Sequence, residues 1–240
     1  LDLSPSINFG PQGNAKRDIL TGFVAVLSRL LTRHGNRVGA MLYGAGHAAN
    51  RAVDAVLPPR SSRAHVQHLV HRLLAPPTPA HGKAPRGGAT ELHRLLQTGL
   101  ANLSRRSTVF VVSDFISAPG WEKPLAQLAQ RHDVVAVRLL DPLELELPDV
   151  GLVTLRDAES GEQLQVDTHD AGFRHRFARL AAQREAVLRE GLAKAGADTL
   201  ELSTDDDLVD ALLRFMDMRQ RRVRRPPIPS LPWASEPVAA

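Results

Sequence analysis

Helical and strand-like patterns of apolar residues alternate along the chain. Residues 18–33 repeat apolar side chains at helical spacing, and Gly35 and Asn36 follow as helix-ending residues. The run TVFVVS at 108–113 predicts a buried strand, and residues 133–140 predict another. Further strands are predicted at 38–43, 52–57 and 199–202, a hairpin at 152–167, and further helices at 61–74, 90–103, 120–131, 173–195 and 205–219.

This alternation is typical of α/β proteins with a mostly parallel sheet. We therefore predict a doubly wound, Rossmann-like sheet with helices on both faces. Pro58 and Pro59 close the run at 52–57, which is predicted to be an antiparallel edge strand. Ser160 and Gly161 interrupt the alternating segment 152–167, which is predicted to be an added hairpin.

Charge is distributed unevenly between the body of the chain and its end. The chain has 240 residues and a formal net charge of +4. Residues 219–240 hold five arginines and a single acid, Glu236, so the remainder is close to neutral. We predict one domain over residues 1–219 and a basic, Pro-rich disordered tail over 220–240. The neutral body argues against nucleic-acid binding as the main function.

Two absences in the sequence limit the candidate chemistry. Without cysteine, the chain has no disulfides, thiolate metal sites or cysteine nucleophiles. No apolar run approaches the roughly 20 residues of a membrane span, and we expect a cytoplasmic location. Because the chain begins with Leu1 at the predicted end of an apolar strand, we also expect that a further segment precedes it.

Oxygen-bearing side chains follow the predicted strands. Asp2, Ser4 and Ser6 are spaced two apart, Thr90 starts a predicted helix after a glycine loop, and Asp114 directly follows the strand at 108–113. In an open parallel sheet such positions converge if the first strand and 108–113 are neighbours. Two carboxylates would neutralise a divalent cation, hydroxyls and water would complete its shell, and one position would be open to a partner's carboxylate. The pattern predicts a Mg²⁺ site.

This set of residues resembles the metal-ion-dependent adhesion site of von Willebrand factor A domains. In its full extent the chain resembles the bacterial A-like proteins of the family called domain of unknown function 58. The resemblance covers about residues 1 to 219. Ile7 departs from it, because the family usually has Met there. The segments that carry the resemblance are LDLSPSINFG, VVSDF, RHDVVAVRLLDPLELELPDVG and RDAESGE.

The resemblance implies both a fold and a function. It implies a von Willebrand factor A-like domain whose metal ligands are Asp2, Ser4, Ser6, Thr90 and Asp114. The expected ion is Mg²⁺, with Mn²⁺ or Ca²⁺ as alternatives. The implied role is that of an adaptor or chaperone-like binding protein rather than an enzyme. The implied partner is a MoxR-type AAA+ ATPase or its client.

Two other functions stay open at this point. A metal-dependent hydrolase could use the same ion to polarise a substrate, although the sequence offers no identifiable nucleophile or general base. A nucleic-acid binder could use the arginine-rich tail, in which case its binding would weaken steeply with salt.

Several smaller motifs favour structural roles. His65 and His68 could share a zinc ion, but His71 lies on another side of the same predicted helix, which favours a solvated face. Glu144 and Glu146 could suggest acid–base chemistry, and a structural or solvated role is the favoured interpretation. The run at 10–16 lacks the spacing of a phosphate-binding loop and is predicted to lead into the first helix.

Overall fold

The computed structural model describes residues 1–10, 15–44, 53–75, 90–156 and 162–224. The chain divides into one unit spanning Leu1–Leu208 and a second spanning Val209–Ala240. In the described ranges no helix has both the length and the apolar character that crossing a membrane requires. The glycine loop before Thr90 lies outside the described residues.

Strands and helices follow one another largely as the pattern predicts. In chain order the elements are α1 (Lys16–Arg33), β1 (Val38–Leu42), β2 (Ala55–Arg60), α2 (Arg63–Leu74), α3 (Leu92–Asn102), β3 (Thr108–Ser113), α4 (Glu122–Arg131), β4 (Asp133–Leu140), β5 (Leu152–Arg156), β6 (Gln163–Asp167), α5 (Ala171–Ala195), β7 (Asp198–Ser203) and α6 (Leu208–Arg224), with short 3₁₀ helices at Pro5–Asn8 and Pro142–Glu144.

Parallel pairing organises the larger sheet. Strands β3, β4 and β7 pair in that order, all in parallel. Strands β1 and β2 form an antiparallel pair, and β5 and β6 form the antiparallel hairpin. These pairings confirm a mixed α/β fold with an antiparallel strand pair and an added hairpin.

Helices cover both faces of the parallel strands. On one face, Val111 of β3 and Ala136 of β4 belong to a buried cluster with Leu96 of α3 and Leu125 of α4. On the other face, the ring of Phe110 meets that of Phe23 from α1, with centroids 5.9 Å apart. Adjacent residues of a strand point to opposite faces, so Phe110 and Val111 mark two separately packed layers.

Strand β2 and helix α6 differ from their predicted bounds. Strand β2 does not end before Pro58 and Pro59 but runs through both to Arg60. An edge strand tolerates proline because one of its sides needs no backbone donor, and the β1–β2 register is irregular at this end. Helix α6 begins at Leu208, so 205–207 precede it instead of forming its first turn. It continues to Arg224, and residues 225–240 lie outside the described part.

The first three residues lie between the two strand systems. The Asp2 amide donates a hydrogen bond to the Val112 carbonyl of β3 at 2.9 Å. The Leu3 amide donates to the Tyr43 carbonyl, just after β1, at 2.7 Å. Asp2 and Tyr43 form a parallel bridge. The segment therefore joins the ends of β1 and β3, and the loop that follows it leaves at the carboxyl end of both strands.

Gly44 permits this close approach. Its φ is +90°, in the region that favours glycine. A Cβ atom at this position would lie 2.6 Å from the Ser4 amide nitrogen and 2.9 Å from the Ser4 Cα. A side chain here would therefore meet backbone, which cannot move aside without displacing the loop that begins at Ser4.

We predict that Gly44→Ala destabilises the protein more than Gly35→Ala. Both glycines have positive φ, but a Cβ at Gly35 meets nothing within 4 Å. Each substitution should cost about 1 kcal/mol of backbone strain, and the clash at Gly44 should add at least another ~1 kcal/mol. Urea unfolding of the two variants measures the difference, and equal losses would show that the contact with Ser4 is unimportant.

Candidate functional site

Asp2 has a fully buried side chain whose two oxygens are both hydrogen-bonded. Oδ1 accepts from the Ser4 amide at 3.0 Å. Oδ2 accepts from the Ser113 hydroxyl at 2.6 Å. Ser113 is the last residue of β3, so these bonds tie the first loop to the end of that strand.

Ser4 and Ser6 bring their hydroxyls together beside Asp2. The two Oγ atoms lie 3.1 Å apart, and both residues are buried. Pro5, between them, starts the 3₁₀ helix Pro5–Asn8 with its fixed φ. The spacing of two residues thus brings the hydroxyls of Ser4 and Ser6 into contact, while the Asp2 carboxylate is bonded to the Ser4 amide and the Ser113 hydroxyl.

Asp114 is positioned by a tight turn after β3. Its Oδ1 accepts a hydrogen bond from the Ile116 amide at 3.0 Å. The turn puts Phe115 at φ +59°, a conformation that non-glycine residues rarely adopt. The ring of Phe115 is buried and packs against Trp121, with centroids 5.2 Å apart, which stabilises this turn.

Thr90 is buried next to the same turn. Its carbonyl accepts hydrogen bonds from the Ser117 hydroxyl at 2.7 Å and from the Ala118 amide at 2.8 Å. Helix α3 begins two residues later, with Glu91 at its N-cap position. Thr90 is therefore not itself the N-cap, but its backbone is fixed to the loop that carries Asp114.

Lys16 is the residue that the sequence interpretation missed. It begins α1, and its side chain is 0% exposed. Its Nζ donates to Asp114 Oδ2 at 2.8 Å and to Glu144 Oε1 at 2.7 Å. It also lies 5.8 Å from the centroid of the Phe9 ring, within cation–π range. A cation of the protein itself thus occupies the neighbourhood of one predicted ligand.

Glu144 reaches Lys16 from the loop after β4. It ends the 3₁₀ helix Pro142–Glu144, where the Asp141 carboxylate accepts from the Leu143 amide at 2.9 Å. The Asp141 amide in turn donates to Glu144 Oε2 at 3.3 Å. These reciprocal bonds form a capping box, which fixes Glu144. The favoured structural role of this residue agrees with its position.

The electrostatics of the site are dominated by burial. Burial raises the pKa of the Asp2 carboxyl, and the negative charge of Asp114 raises it further, against hydrogen bonds from Ser113 and Ser4 that lower it. For Lys16, burial acts to lower the pKa, but the carboxylates of Asp114 and Glu144 outweigh burial and raise it. The carboxylates therefore stabilise the charged ammonium.

The donor set fits a hard divalent cation. Asp2, Asp114 and Glu144 carry three negative charges when ionised, and Lys16 supplies one positive charge, so negative charge is in excess. Carboxylate and hydroxyl oxygens are the ligands that Mg²⁺ prefers. Over the described ranges, no group of three or more His, Asp or Glu side chains is arranged to hold a metal. An ion here would therefore depend on serine and threonine hydroxyls and on water as well as on carboxylates.

Different sequence signals accompany the residues that were missed. Lys16 follows the serine loop at the start of a helix, but only the fold shows that its charge is buried. Ser113 is the last residue of the predicted strand at 108–113, and only the fold shows that its hydroxyl orients Asp2. Glu144 was not missed, because the sequence favoured a structural or solvated role for it, and the Asp-Pro-Leu-Glu capping sequence that follows β4 accounts for that role.

The other motifs give no competing site in the described residues. His65 Nε2 lies 2.9 Å from the Val38 carbonyl oxygen, while His68 and His71 are exposed. Arg219 lies over the Phe215 ring within α6, at 5.8 Å from its centroid. The side chains of the remaining tail arginines lie outside the described part.

Curated relatives are mycobacterial. The chain is 35% identical over 221 residues to the uncharacterized protein Rv1480 of Mycobacterium tuberculosis, an alignment that covers 92% of this chain and 66% of that protein. It is 35% identical over 165 residues to the uncharacterized protein MAV169 of Mycobacterium avium, covering 69% of this chain and 94% of that one. The chain thus spans slightly less than two thirds of the length of the first relative.

Solved structures share the fold at low identity. BatB, a conserved hypothetical protein from Bacteroides thetaiotaomicron, superposes with a TM-score of 0.55 at 12% identity, covering 92% of this chain and 96% of that chain. An aerotolerance-related membrane protein from Bacteroides fragilis gives a TM-score of 0.53 at 12% identity with the same coverage.

A family assignment covers most of the chain. Residues 1–187 match the family described as "Protein of unknown function DUF58". This match includes all five predicted ligands as well as Lys16 and Glu144, and the chain belongs to the DUF58 family.

Proposed function

We propose that this chain is a metal-ion-dependent protein-interaction module. In this proposal Asp2, Ser4, Ser6, Thr90 and Asp114 hold Mg²⁺ at the carboxyl end of the sheet. The observation that carries it is the buried convergence of two carboxylates with two serine hydroxyls at one strand end. A cluster of like charges kept away from water needs a compensating cation, and one ammonium does not neutralise it.

The residues at the proposed site have different roles: some orient the carboxylates and others supply neutral oxygens. Hydrogen bonds from the Ser4 amide and the Ser113 hydroxyl hold the Asp2 carboxylate in place. The Ile116 amide does the same for Asp114. The hydroxyls of Ser4 and Ser6 point to a common location and supply neutral oxygens. A bound divalent ion would supply Lewis acidity and a coordination position for an external carboxylate.

An acidic side chain of a protein partner suits that open position. Two aspartates balance a divalent ion, so an added carboxylate binds to a centre that is close to neutral. The partner we propose is a MoxR-type AAA+ ATPase or its client, with this chain as an adaptor or chaperone-like protein. Support for this part is the resemblance to von Willebrand factor A domains together with membership of the DUF58 family.

Metal binding is tested first. We predict that Mg²⁺ raises the melting temperature of the full chain by a few degrees and that EDTA reverses the rise, because a ligand of the native state stabilises it. Asp114→Asn should reduce the Mg²⁺ affinity by about tenfold or more, since a charged ligand is lost. Isothermal titration calorimetry with Mg²⁺ alone measures the affinity of the wild type and of the Asp114→Asn variant.

Asp205→Asn is the matched control for this measurement. Asp205 is exposed, precedes α6, and is not one of the predicted ligands. Its variant should bind Mg²⁺ like the wild type. Equal affinities in all three proteins would contradict the metal site.

Partner binding is tested second. We predict that a pull-down of a MoxR-type ATPase by this chain requires Mg²⁺ and is lost in EDTA. Ser4→Ala and Asp114→Ala should each reduce capture by about tenfold or more, because each removes a ligand of the ion that bridges the two proteins. Ser61→Ala, at an exposed serine between β2 and α2, is the control. If EDTA and both substitutions leave the amount of captured ATPase unchanged, the ion does not bridge the two proteins.

A further inference from the structure

Lys16 brings a positive charge into contact with Asp114, one of the proposed metal ligands. Its ammonium is fully buried and bonded to Asp114 Oδ2 at 2.8 Å and to Glu144 Oε1 at 2.7 Å. These two carboxylates lie 98 and 128 residues away along the chain. The contact is therefore a product of the tertiary fold and not of a local turn.

The oxygen that Lys16 holds is the one a metal would use. Asp114 Oδ1 already accepts a hydrogen bond from the Ile116 amide, so Oδ2, which accepts from Lys16, is the oxygen that we expect an ion to use. A divalent ion on Oδ2 and an ammonium on the same oxygen would repel each other at short distance in a buried environment. Either Lys16 weakens the binding of the ion, or the ammonium shifts toward Glu144 when the ion binds.

Glu144 is a second ion-pair partner for the Lys16 ammonium. Its side chain is 20% exposed, and its position is fixed by the capping box with Asp141. Because Lys16 is bonded to both carboxylates, it can release Asp114 and keep a charged partner. A buried ammonium without any partner would be strongly unfavourable.

We propose that Lys16 is a resident cation, a positive charge that belongs to the chain itself. Its ammonium competes with the divalent ion for Asp114 and moves toward Glu144 when the ion binds. This inference rests on the proposed metal site. Lys16 thereby sets the affinity of the site: the ammonium compensates part of the carboxylates' charge when the ion is absent and lowers the affinity for the ion. The ligand class is a hard divalent cation, and the competitor is part of the chain.

Two variants that break the same ion pair separate this role from a structural one. Lys16→Met removes the competitor and keeps the length of the side chain, so Mg²⁺ affinity should rise by about tenfold or more. Glu144→Gln removes the alternative partner, so Lys16 stays on Asp114 and Mg²⁺ affinity should fall by about threefold or more. A salt bridge with a purely structural role predicts changes of the same sign in both variants.

Calorimetry with Mg²⁺ alone, on the full chain, measures the affinities, and melting temperatures in EDTA and in Mg²⁺ report stability. In EDTA Lys16→Met should have a lower melting temperature than the wild type. This difference in melting temperature should be smaller in saturating Mg²⁺, because the ion then replaces the missing charge. If Lys16→Met does not fold in EDTA but folds in Mg²⁺, the proposal is supported. If it folds in neither, Glu144→Gln decides.

The outcomes distinguish this inference from the proposed function. Opposite shifts in the two variants support competition. If the wild type binds Mg²⁺ and the two variants change its affinity equally or in the same direction, competition is wrong but the metal site is still supported. Binding by Lys16→Met but not by the wild type supports Lys16 as resident cation and refutes a metal-dependent function of the unmodified chain. If none of the three proteins binds Mg²⁺, both ideas fail.

Discussion

Compensation of buried charge is the constraint on which the carboxyl end of the sheet depends. Asp2 and Asp114 are each at most 1% exposed, and Asp114 is near enough to raise the pKa of Asp2. Removing one partner from a buried ion pair commonly costs about 3–5 kcal/mol, because an uncompensated charge stays behind. Lys16 and the hydroxyl and amide donors therefore bear directly on whether this part of the molecule is stable.

The fold brings the carboxylates and their donors together from parts of the chain that are far apart. The segment at 1–3 is hydrogen-bonded to Val112 on one side and to Tyr43 on the other, so the loop with Ser4 starts at the junction of β1 and β3. The turn after β3 supplies Asp114, and the start of α1 supplies Lys16. Because parallel strands end at the same edge, one sheet edge collects all of them.

A site of this composition has two ways to compensate its negative charge. An ammonium that belongs to the chain is always present, whereas a divalent ion binds according to its concentration. The capping box that fixes Glu144 also fixes one of the two carboxylates that bond the ammonium. At the proposed metal site, residues outside the ligand set would influence the affinity, as outer-shell groups do at metal sites in general.

The amino-acid sequence by itself determined the elements and most of the candidate ligands. Apolar periodicity placed α1, β3 and β4 to within two residues, because a 3.6-residue or two-residue repeat is a local property. The spacing of Asp2, Ser4 and Ser6 was readable for the same reason. Boundaries set by long-range pairing, such as the passage of β2 through Pro58 and Pro59, were missed.

Only the tertiary structure decided which charges are buried together. Lys16 looks like an ordinary lysine at the start of a helix, and nothing local marks its ammonium as inaccessible. Its partners Asp114 and Glu144 come from loops after two neighbouring parallel strands, which the sequence could place in the same sheet but not in the same pocket. Burial and ion pairing depend on packing between distant segments, so the presence of Lys16 among the buried charges at this sheet edge could not be derived from spacing alone.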